Sequence, residues 1–339
     1  MKVAMYYSNK DIRLEDMPVP EISDNEILLK VMASGICGSD VMEWYRIKKA
    51  PRVLGHEVAG IIAKAGKKVH RFRKGDKVFV THHVPCNTCK NCREGNENVC
   101  DTLKTTNFHP GGFAEYLRVP DINVRKGTLR LPKGMTFEEG TFIEPLGCVV
   151  RGQRLLGIKK GHIVLVLGSG MAGLLHIQLA KSKGCKVIAT DISELRKRMA
   201  KKLGADMVFD ARTFDADKLK AAAGRLADRV IVSTGAIPAI SQAFDFVNEG
   251  GKILFFAPTE PNTKIPMPFN DIWFKGIALH TTYAAAGRDL AEAIRLIKTK
   301  KVKVKPMITH RLPLSQTQKG FDLVLSGKES VKVIIEPHK

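Results

Sequence analysis

Ile163-Val-Leu-Val-Leu-Gly168-Ser-Gly170-Met171-Ala172-Gly173, running on into Leu-Leu-His-Ile-Gln-Leu-Ala-Lys, is the stretch whose reading decides the fold. An apolar, β-branched run of this length bounded by glycine reads as a buried strand, and the apolar residues beyond it read as a helix. The turn between them has the spacing Gly-x-Gly-x-x-Gly. The first glycine permits the turn, the second lets backbone approach a pyrophosphate, and the third allows close packing of helix on strand. The helix then presents its positive end, through Met171 and Ala172, to the phosphates. A second strand, Lys186-Val-Ile-Ala-Thr-Asp191, ends in an acid eighteen residues after Gly173. That carboxylate is placed to accept the ribose hydroxyls of NAD and to repel the extra phosphate of NADP, and it can cap the next helix as well.

The same rhythm continues outward. Strand candidates lie at 163–168, 186–191, 207–210, 229–234, 252–257 and 278–283, with helical stretches Leu174–Lys183, Ser193–Leu203 and Pro238–Val247 between them. Six strands alternating with helices specify an α/β architecture over 150–284, a doubly wound parallel sheet with right-handed crossovers. Its sixth strand, Ile277–Tyr283, would lie at the sheet edge, where an apolar strand needs cover. Residues 1–149 read differently. Short strand-like runs such as 26–32, 60–66 and 76–80 alternate with Gly- and Pro-rich turns, which suits a small β-rich, barrel-like domain. After Gly287 come an amphipathic helix at Asp289–Lys300, a second helix near Ser315–Ser326 and a closing strand at Ser330–Glu336.

Within the β-rich part, Cys86-Asn-Thr-Cys89-Lys-Asn-Cys92 is followed by Cys100. Four thiolates this close can close a tetrahedral shell around one structural zinc ion. The spacings are too short for two unstrained disulfides, and nothing in the sequence suggests secretion. A second set of ligand types flanks this lobe: Cys37 in Gly35-Ile-Cys37-Gly-Ser39-Asp40, His56-Glu57 in Val53-Leu-Gly55-His56-Glu57, and Glu144 in Phe-Ile-Glu144-Pro-Leu-Gly. One Cys, one His and a carboxylate make a mixed shell that leaves a zinc position open for water or substrate. Singly, a cysteine is a small buried hydrophobe and a Glu before Pro is a helix start. The signal lies in their co-occurrence within tight, glycine-marked segments.

The 339 residues carry 44% hydrophobic and 26% charged side chains, which is ordinary for a globular chain large enough for two cores. No apolar run is long enough to span a bilayer, so no membrane association is expected. Seven cysteines with most of them claimed as metal ligands point to a reducing, cytoplasmic setting, and Cys148 and Cys185 are left as packing residues. Net charge is +21, but the basic residues are scattered and no nucleic-acid-binding module is present. No specific nucleic acid is expected as a partner; a basic surface that attracts anionic cofactors or substrates is the milder reading.

Together with Gly75-Asp-Lys-Val78, Gly111-Gly-Phe-Ala-Glu-Tyr116, Val232-Ser-Thr234-Gly235 and Ser330-Val-Lys-Val-Ile-Ile-Glu-Pro337, these motifs make the chain resemble, along essentially its whole length, a zinc-dependent medium-chain dehydrogenase of the branch holding sorbitol (polyol) and threonine dehydrogenases. The resemblance implies a GroES-like catalytic domain over 1–149, to which 285–339 returns, and an inserted Rossmann NAD-binding domain over 150–284. It implies reversible oxidation of a secondary alcohol to a ketone with NAD, two zinc ions per chain, and a homodimer or homotetramer joined at the sheet edge. Cys37, His56, Glu57 and Glu144 become catalytic-zinc ligands, the last two directly or through water, and Ser39 begins a proton relay. Arg196, Thr234 and Gly235 join the glycine turn and Asp191 as cofactor-binding residues. Met42 stands where many relatives carry the histidine that ends the relay, and the segment between Cys37 and His56 is short. On that segment Arg46, Lys48 and Lys49 read as solvated loop charges, with an acidic substrate as the other reading. An amino alcohol of the threonine type is the alternative substrate. A zinc-free quinone reductase would lack Cys37 and His56-Glu57, and a non-catalytic nucleotide-binding protein would have lost a ligand or a fingerprint glycine.

Overall fold

In the computed structural model, which describes residues 1–339, Ile163–Leu167 is buried along its whole length and lies inside a six-stranded sheet. The order across that sheet is Met207–Asp210, Lys186–Asp191, Ile163–Leu167, Ala227–Val232, Val247–Phe255 and Ala278–Thr281. Every neighbouring pair is parallel. Strands buried on both faces need apolar side chains at successive positions rather than alternate ones, which is why these runs read as continuous Val, Ile and Leu. Leu165, Ile188, Val230, Phe246 and Ile253 belong to the core beneath the sheet, with Phe214 and Leu219 packed among them. The sheet belongs to a compact unit made of Cys148–Tyr283 and Thr299–Lys303.

The sequence placed the fifth strand at 252–257, whereas it begins at Val247 and passes through Asn248-Glu249-Gly250-Gly251. Gly250 has φ +67°, and the pairing register with Ala227–Val232 shifts at this point. The two glycines are a bulge inside a strand, and a turn signal at that position hides the strand's first half. The helix Ala216–Ala223 also escaped the sequence reading. Its ends are well marked: Asp215 accepts the Lys218 amide at 2.8 Å, and Gly224 closes it at φ +86°.

The other unit is formed by Met1–Gly147, Ala284–Lys298 and Val304–Lys339. Its main sheet runs Ile308–Pro313, Lys332–Glu336, Ile27–Gly35, Glu57–Ala65, Lys77–Val80, Thr128–Arg130, with Tyr116–Val119 also pairing to Ile27–Gly35. Lys2–Ser8 makes a smaller sheet with Asp11–Asp16 and Arg52–Val53. Along Ile27–Gly35 burial alternates and then becomes continuous toward Gly35, as expected of a strand that enters the core at one end. The closing strand pairs Ile334 with Gly35 and Ile335 with Ser34. Gly35 is itself opposite Glu57 in the ladder, so three strand ends meet there. A Cβ on Gly35 would strike the side chains of both Glu57 and Lys332, and the position therefore requires glycine.

Candidate active site

Cys37 follows Ile27–Gly35 in a tight turn in which the Asp40 amide donates to the Cys37 carbonyl at 3.0 Å. The Cys37 amide in turn donates to Asp40 Oδ2 at 3.0 Å, so the carboxylate closes the turn from inside. Across the ladder Gly55, at φ +89°, turns the chain into Glu57–Ala65 and delivers His56 and Glu57 beside it. A Cβ on Gly55 would sit 2.9 Å from Phe113, which excludes any other residue. One ligand atom from each of Cys37, His56 and Glu57 then lies within 4.8 Å of the others.

Asp40 is fully buried and its Oδ1 lies 3.2 Å from His56 Nδ1. That contact fixes a proton on Nδ1 and makes Nε2 the nitrogen at which a metal would replace a proton, the usual support for an imidazole that binds a metal. Burial pulls the His56 imidazole down, but the Asp40 carboxylate and the Cys37 thiol outweigh it and hold it well above its ordinary range. Asp40 shows the converse: burial pulls it up, and His56 with Arg46 bring it below the ordinary carboxylate value. His82, tilted against the His56 ring with centroids 4.9 Å apart, is pushed well down by burial and is neutral.

Glu57 was expected as a ligand, directly or through water. Both Glu57 and Lys332 are buried, and Glu57 Oε2 is ion-paired with Lys332 Nζ, while Oε1 has no hydrogen-bond partner. Lys332 Nζ also reaches the Ile36 carbonyl at 3.4 Å and sits 5.4 Å over the Phe142 ring. One carboxylate oxygen is thus held back by a lysine and the other remains open beside Cys37 and His56. Glu144, at the start of Ile143–Leu155, is buried but stands outside the trio. Ser39 accepts from Arg46 Nη2 at 3.1 Å through its hydroxyl and from Arg46 Nε at 2.9 Å through its carbonyl. Arg46 is therefore turned inward onto the site, where the sequence had it as a solvated loop charge; Lys48 and Lys49 are exposed.

A thiol, an imidazole of fixed tautomer and a half-free carboxylate are the mixed donors that suit zinc with a position left over. The cysteine quartet suits a closed site. All four Sγ atoms lie within 4.8 Å of one another, Cys86 to Cys100 at 3.6 Å and to Cys92 at 3.9 Å, and no disulfide joins them. Amides of Thr88 and Cys89 donate to Cys86 Sγ at 3.4 and 3.3 Å. Hydrogen bonds from Thr88 and Cys89 bring Cys86 down to about 5, whereas burial and the neighbouring thiols push Cys92 up to about 12. One thiolate forms readily and the next is opposed by it; a divalent cation at the centre removes that opposition.

In the other unit the three fingerprint glycines have distinct geometry. Gly168 is left-handed at φ +88°, Gly170 faces open space, and a Cβ on Gly173 would collide with the Gly168 carbonyl. Gly235 backs onto Pro258, whose carbonyl would lie 2.8 Å from a Cβ there, and Thr234 packs beside Gly168. Asp191 Oδ2 accepts the Ser169 amide and Oδ1 the Ser193 amide, both at 2.8 Å, so the acid braces the glycine turn and the next helix start together. Each oxygen keeps a lone pair for a ribose hydroxyl. Arg196 Nε is buried without a hydrogen-bond partner.

Asp40, His82 and Lys332 are site residues that the sequence reading left unassigned, and Arg46 is one that it read chiefly as a solvated charge. Asp40 and Arg46 stood within segments already singled out. Lys332 had no local signal, since its partner lies 275 residues away.

Comparison with known proteins agrees with this geometry. Residues 23–133 match the alcohol dehydrogenase GroES-like domain and residues 172–299 the zinc-binding dehydrogenase domain. Sorbitol dehydrogenase of Bacillus subtilis is 32% identical over 357 aligned residues, covering 100% of this chain and 98% of the relative. L-threonine 3-dehydrogenase of Bacillus licheniformis is 35% identical, covering 95% and 94%. A zinc-binding dehydrogenase from Sinorhizobium meliloti 1021, solved bound to NADP, superposes with a TM-score of 0.88 at 28% identity and 99% coverage of both chains. With its ligand trio, cysteine quartet and glycine turn all in place, this chain belongs to the zinc-dependent medium-chain dehydrogenases, in the branch of the sorbitol and threonine dehydrogenases.

Proposed function

We propose that the chain interconverts a secondary alcohol of the polyol or sugar-alcohol type and its ketone, with NAD as the hydride carrier. The observation that carries this reading is the convergence of Cys37, His56 and Glu57 around a buried Asp40 that fixes the imidazole. Zinc bound there would supply Lewis-acid polarisation of the alcohol oxygen, and NAD in the glycine turn would take the hydride. Cys37 and His56 would hold the metal, with Glu57, tethered by Lys332, and Glu144 on the carboxylate side directly or through water. The Ser39 hydroxyl receives the proton from the substrate hydroxyl. Because it already accepts from Arg46 Nη2, its own hydrogen is directed elsewhere. Arg46 cannot take a proton, and Met42 offers no titratable group, so the proton passes from Ser39 to water or to Glu144.

Asp191 supports NAD over NADP, since its braced carboxylate would meet the extra phosphate with like charge. Gly168, Gly170, Met171, Ala172 and Gly173 cradle the pyrophosphate, with Arg196, Thr234 and Gly235 nearby in the cofactor site. The quartet Cys86, Cys89, Cys92 and Cys100 takes the second, structural zinc. Four large apolar side chains, Met267, Phe269, Trp273 and Phe274, are 53–73% exposed next to the edge strand Ala278–Thr281. A surface of this kind marks an interface, and we assign it to a homodimer, or to one pair within a homotetramer. Seven cysteines with no disulfide among them suit a reducing cytoplasm.

The test is zinc content per chain measured beside NAD and NADP reduction on polyols, simple secondary alcohols and L-threonine. Two zincs and NAD-linked turnover of a polyol, both reduced in Cys37→Ser (one zinc, no turnover), are expected. Preference for L-threonine would move the chain to the amino-alcohol reading, and one zinc with no turnover of any alcohol would sink the proposal.

A further inference from the structure

Beside His56 the structure has a small recess, about 30 Å³ of free space, lined by Arg46, Arg52, His82 and Asn107 with Asp40 at its base. It has room for one compact group and none for a sugar ring. Its charges do not balance. Asp40 is the one carboxylate in the lining, and it is occupied by His56 Nδ1 and the Cys37 amide. Arg46 spends Nε and one Nη2 hydrogen on Ser39, and Nη2 reaches Asp40 only at 3.4 Å. Arg52 has no ion-pair partner, and its Nε is buried without a hydrogen bond. His82 Nδ1 is likewise buried and unpartnered. Burial lowers the Arg52 pKa, and the charge on Arg46 lowers it further, so the two guanidiniums repel across the recess. Elsewhere in the same unit even more exposed arginines have carboxylate partners, as in Arg288 with Glu97 and Arg130 with Asp76. A half-buried guanidinium left without one is costly unless a ligand supplies the anion.

We propose that Arg46 and Arg52 form an anion subsite for the substrate, so that the alcohol oxidised carries a carboxylate or phosphate group and is a hydroxy acid or a sugar-alcohol phosphate rather than a neutral polyol. The inference rests on the dehydrogenase reading above and narrows its substrate class. Arginine forks match both oxyanions with paired N–H donors, and the recess shares His56 with the metal-binding trio, so one short molecule reaches both. Binding energy from such a remote anionic group holds the hydroxyl in register for reaction. Lys48 and Lys49, exposed on the same short segment, add long-range attraction for an anion.

Two measurements on zinc-loaded protein test this. The first is calorimetric binding of inorganic phosphate and of acetate to wild type and to Arg52→Met. The variant isolates the recess from the glycine turn, which also attracts phosphate. Arg52 pairs with Tyr6 through backbone, so loss of its side chain leaves that ladder intact; Arg52→Lys serves if Arg52→Met does not fold. At least about tenfold weaker binding of one anion in the variant is expected. The second compares kcat/KM for sorbitol against sorbitol 6-phosphate, and 1,3-butanediol against 3-hydroxybutyrate. A charged member preferred at least about tenfold, with the preference lost in Arg52→Met, is expected, and the favoured pair says whether phosphate or carboxylate is read. Equal or better use of the neutral members, or equal anion binding by wild type and variant, overturns the subsite. Absence of turnover on all four compounds with only one zinc bound is failure of the dehydrogenase reading instead, and the binding comparison still decides the subsite.

Discussion

Asp40 accepts from His56 Nδ1 and from the Cys37 amide at once, so one carboxylate ties together the two segments that supply the trio. Asp40→Asn keeps the shape but loses the charge that fixes the imidazole. Zinc affinity at the trio should fall by about 10–100-fold, read by competition with a chelator, while zinc in the cysteine quartet is retained. The Glu57–Lys332 pair has different consequences because both side chains are buried. Removing the lysine alone strands a carboxylate in the core. Lys332→Met should cost about 3–5 kcal/mol in a denaturant titration, and adding Glu57→Gln should recover a large part of that loss. If the double variant were no more stable than the single one, the pair would not be the source of the cost. Cys37, His56 and Glu57 were legible in the sequence because each sits in a short segment marked by glycine. Arg46 was visible and misread, because a basic residue on a loop gives no sign of which way it turns. Lys332 was invisible, because its meaning depends on a strand pairing far away in the chain.

Elements were legible where one period dominated. The strand–turn–helix from Ile163 to Ser182 combines a buried run, a glycine spacing and an apolar helix, and each points the same way. Short helices such as Phe269–Phe274 carry too few residues to show a period, and Val247–Phe255 was cut in half by its own bulge. The parallel sheet also depends on ionic pins at its ends. Lys181, on the helix that leaves the glycine turn, holds both Asp206 oxygens at 2.8 and 2.9 Å, and Asp206 takes the Val187 amide at 2.7 Å. Burial raises the Asp206 pKa, but these partners prevail and set it below the ordinary carboxylate value. With the folded value depressed, this stabilisation is complete above the unfolded value of about 4 and is lost as pH falls through the folded one. Denaturation midpoints measured from pH 7 to pH 3 should therefore fall less steeply at the acid end in Asp206→Asn than in wild type. An acid limb of the same slope in both would remove Asp206 from the account.

For the whole molecule, the net charge of +21 favours encounter with anionic cofactors and substrates, and salt should slow that encounter. Charge alone says nothing of assembly. The four exposed apolar side chains from Met267 to Phe274 carry the proposed interface, since they lie close together in the sequence and single scattered hydrophobics are the ordinary case. Trp273→Glu combined with Phe274→Asp should shift sedimentation from the assembled species toward the monomer. An unchanged sedimentation coefficient would place the interface elsewhere. The sequence supported the edge strand as the joint but could not single out these aromatics, because they lie on a short helix before it.

The closing strand also fixes an order of events during synthesis. Glu57 leaves the ribosome 275 residues before Lys332, and Cys37 and His56 precede Glu57. At about 5–20 residues per second, that interval lasts on the order of tens of seconds. Through it the first unit lacks the strand that completes its sheet and the lysine that neutralises Glu57. Residues 148–283, begun later, have almost all of their unit in hand sooner. The part of the protein that starts first is therefore the last to finish, and a nascent chain holds the cofactor fold before it holds a completed metal site.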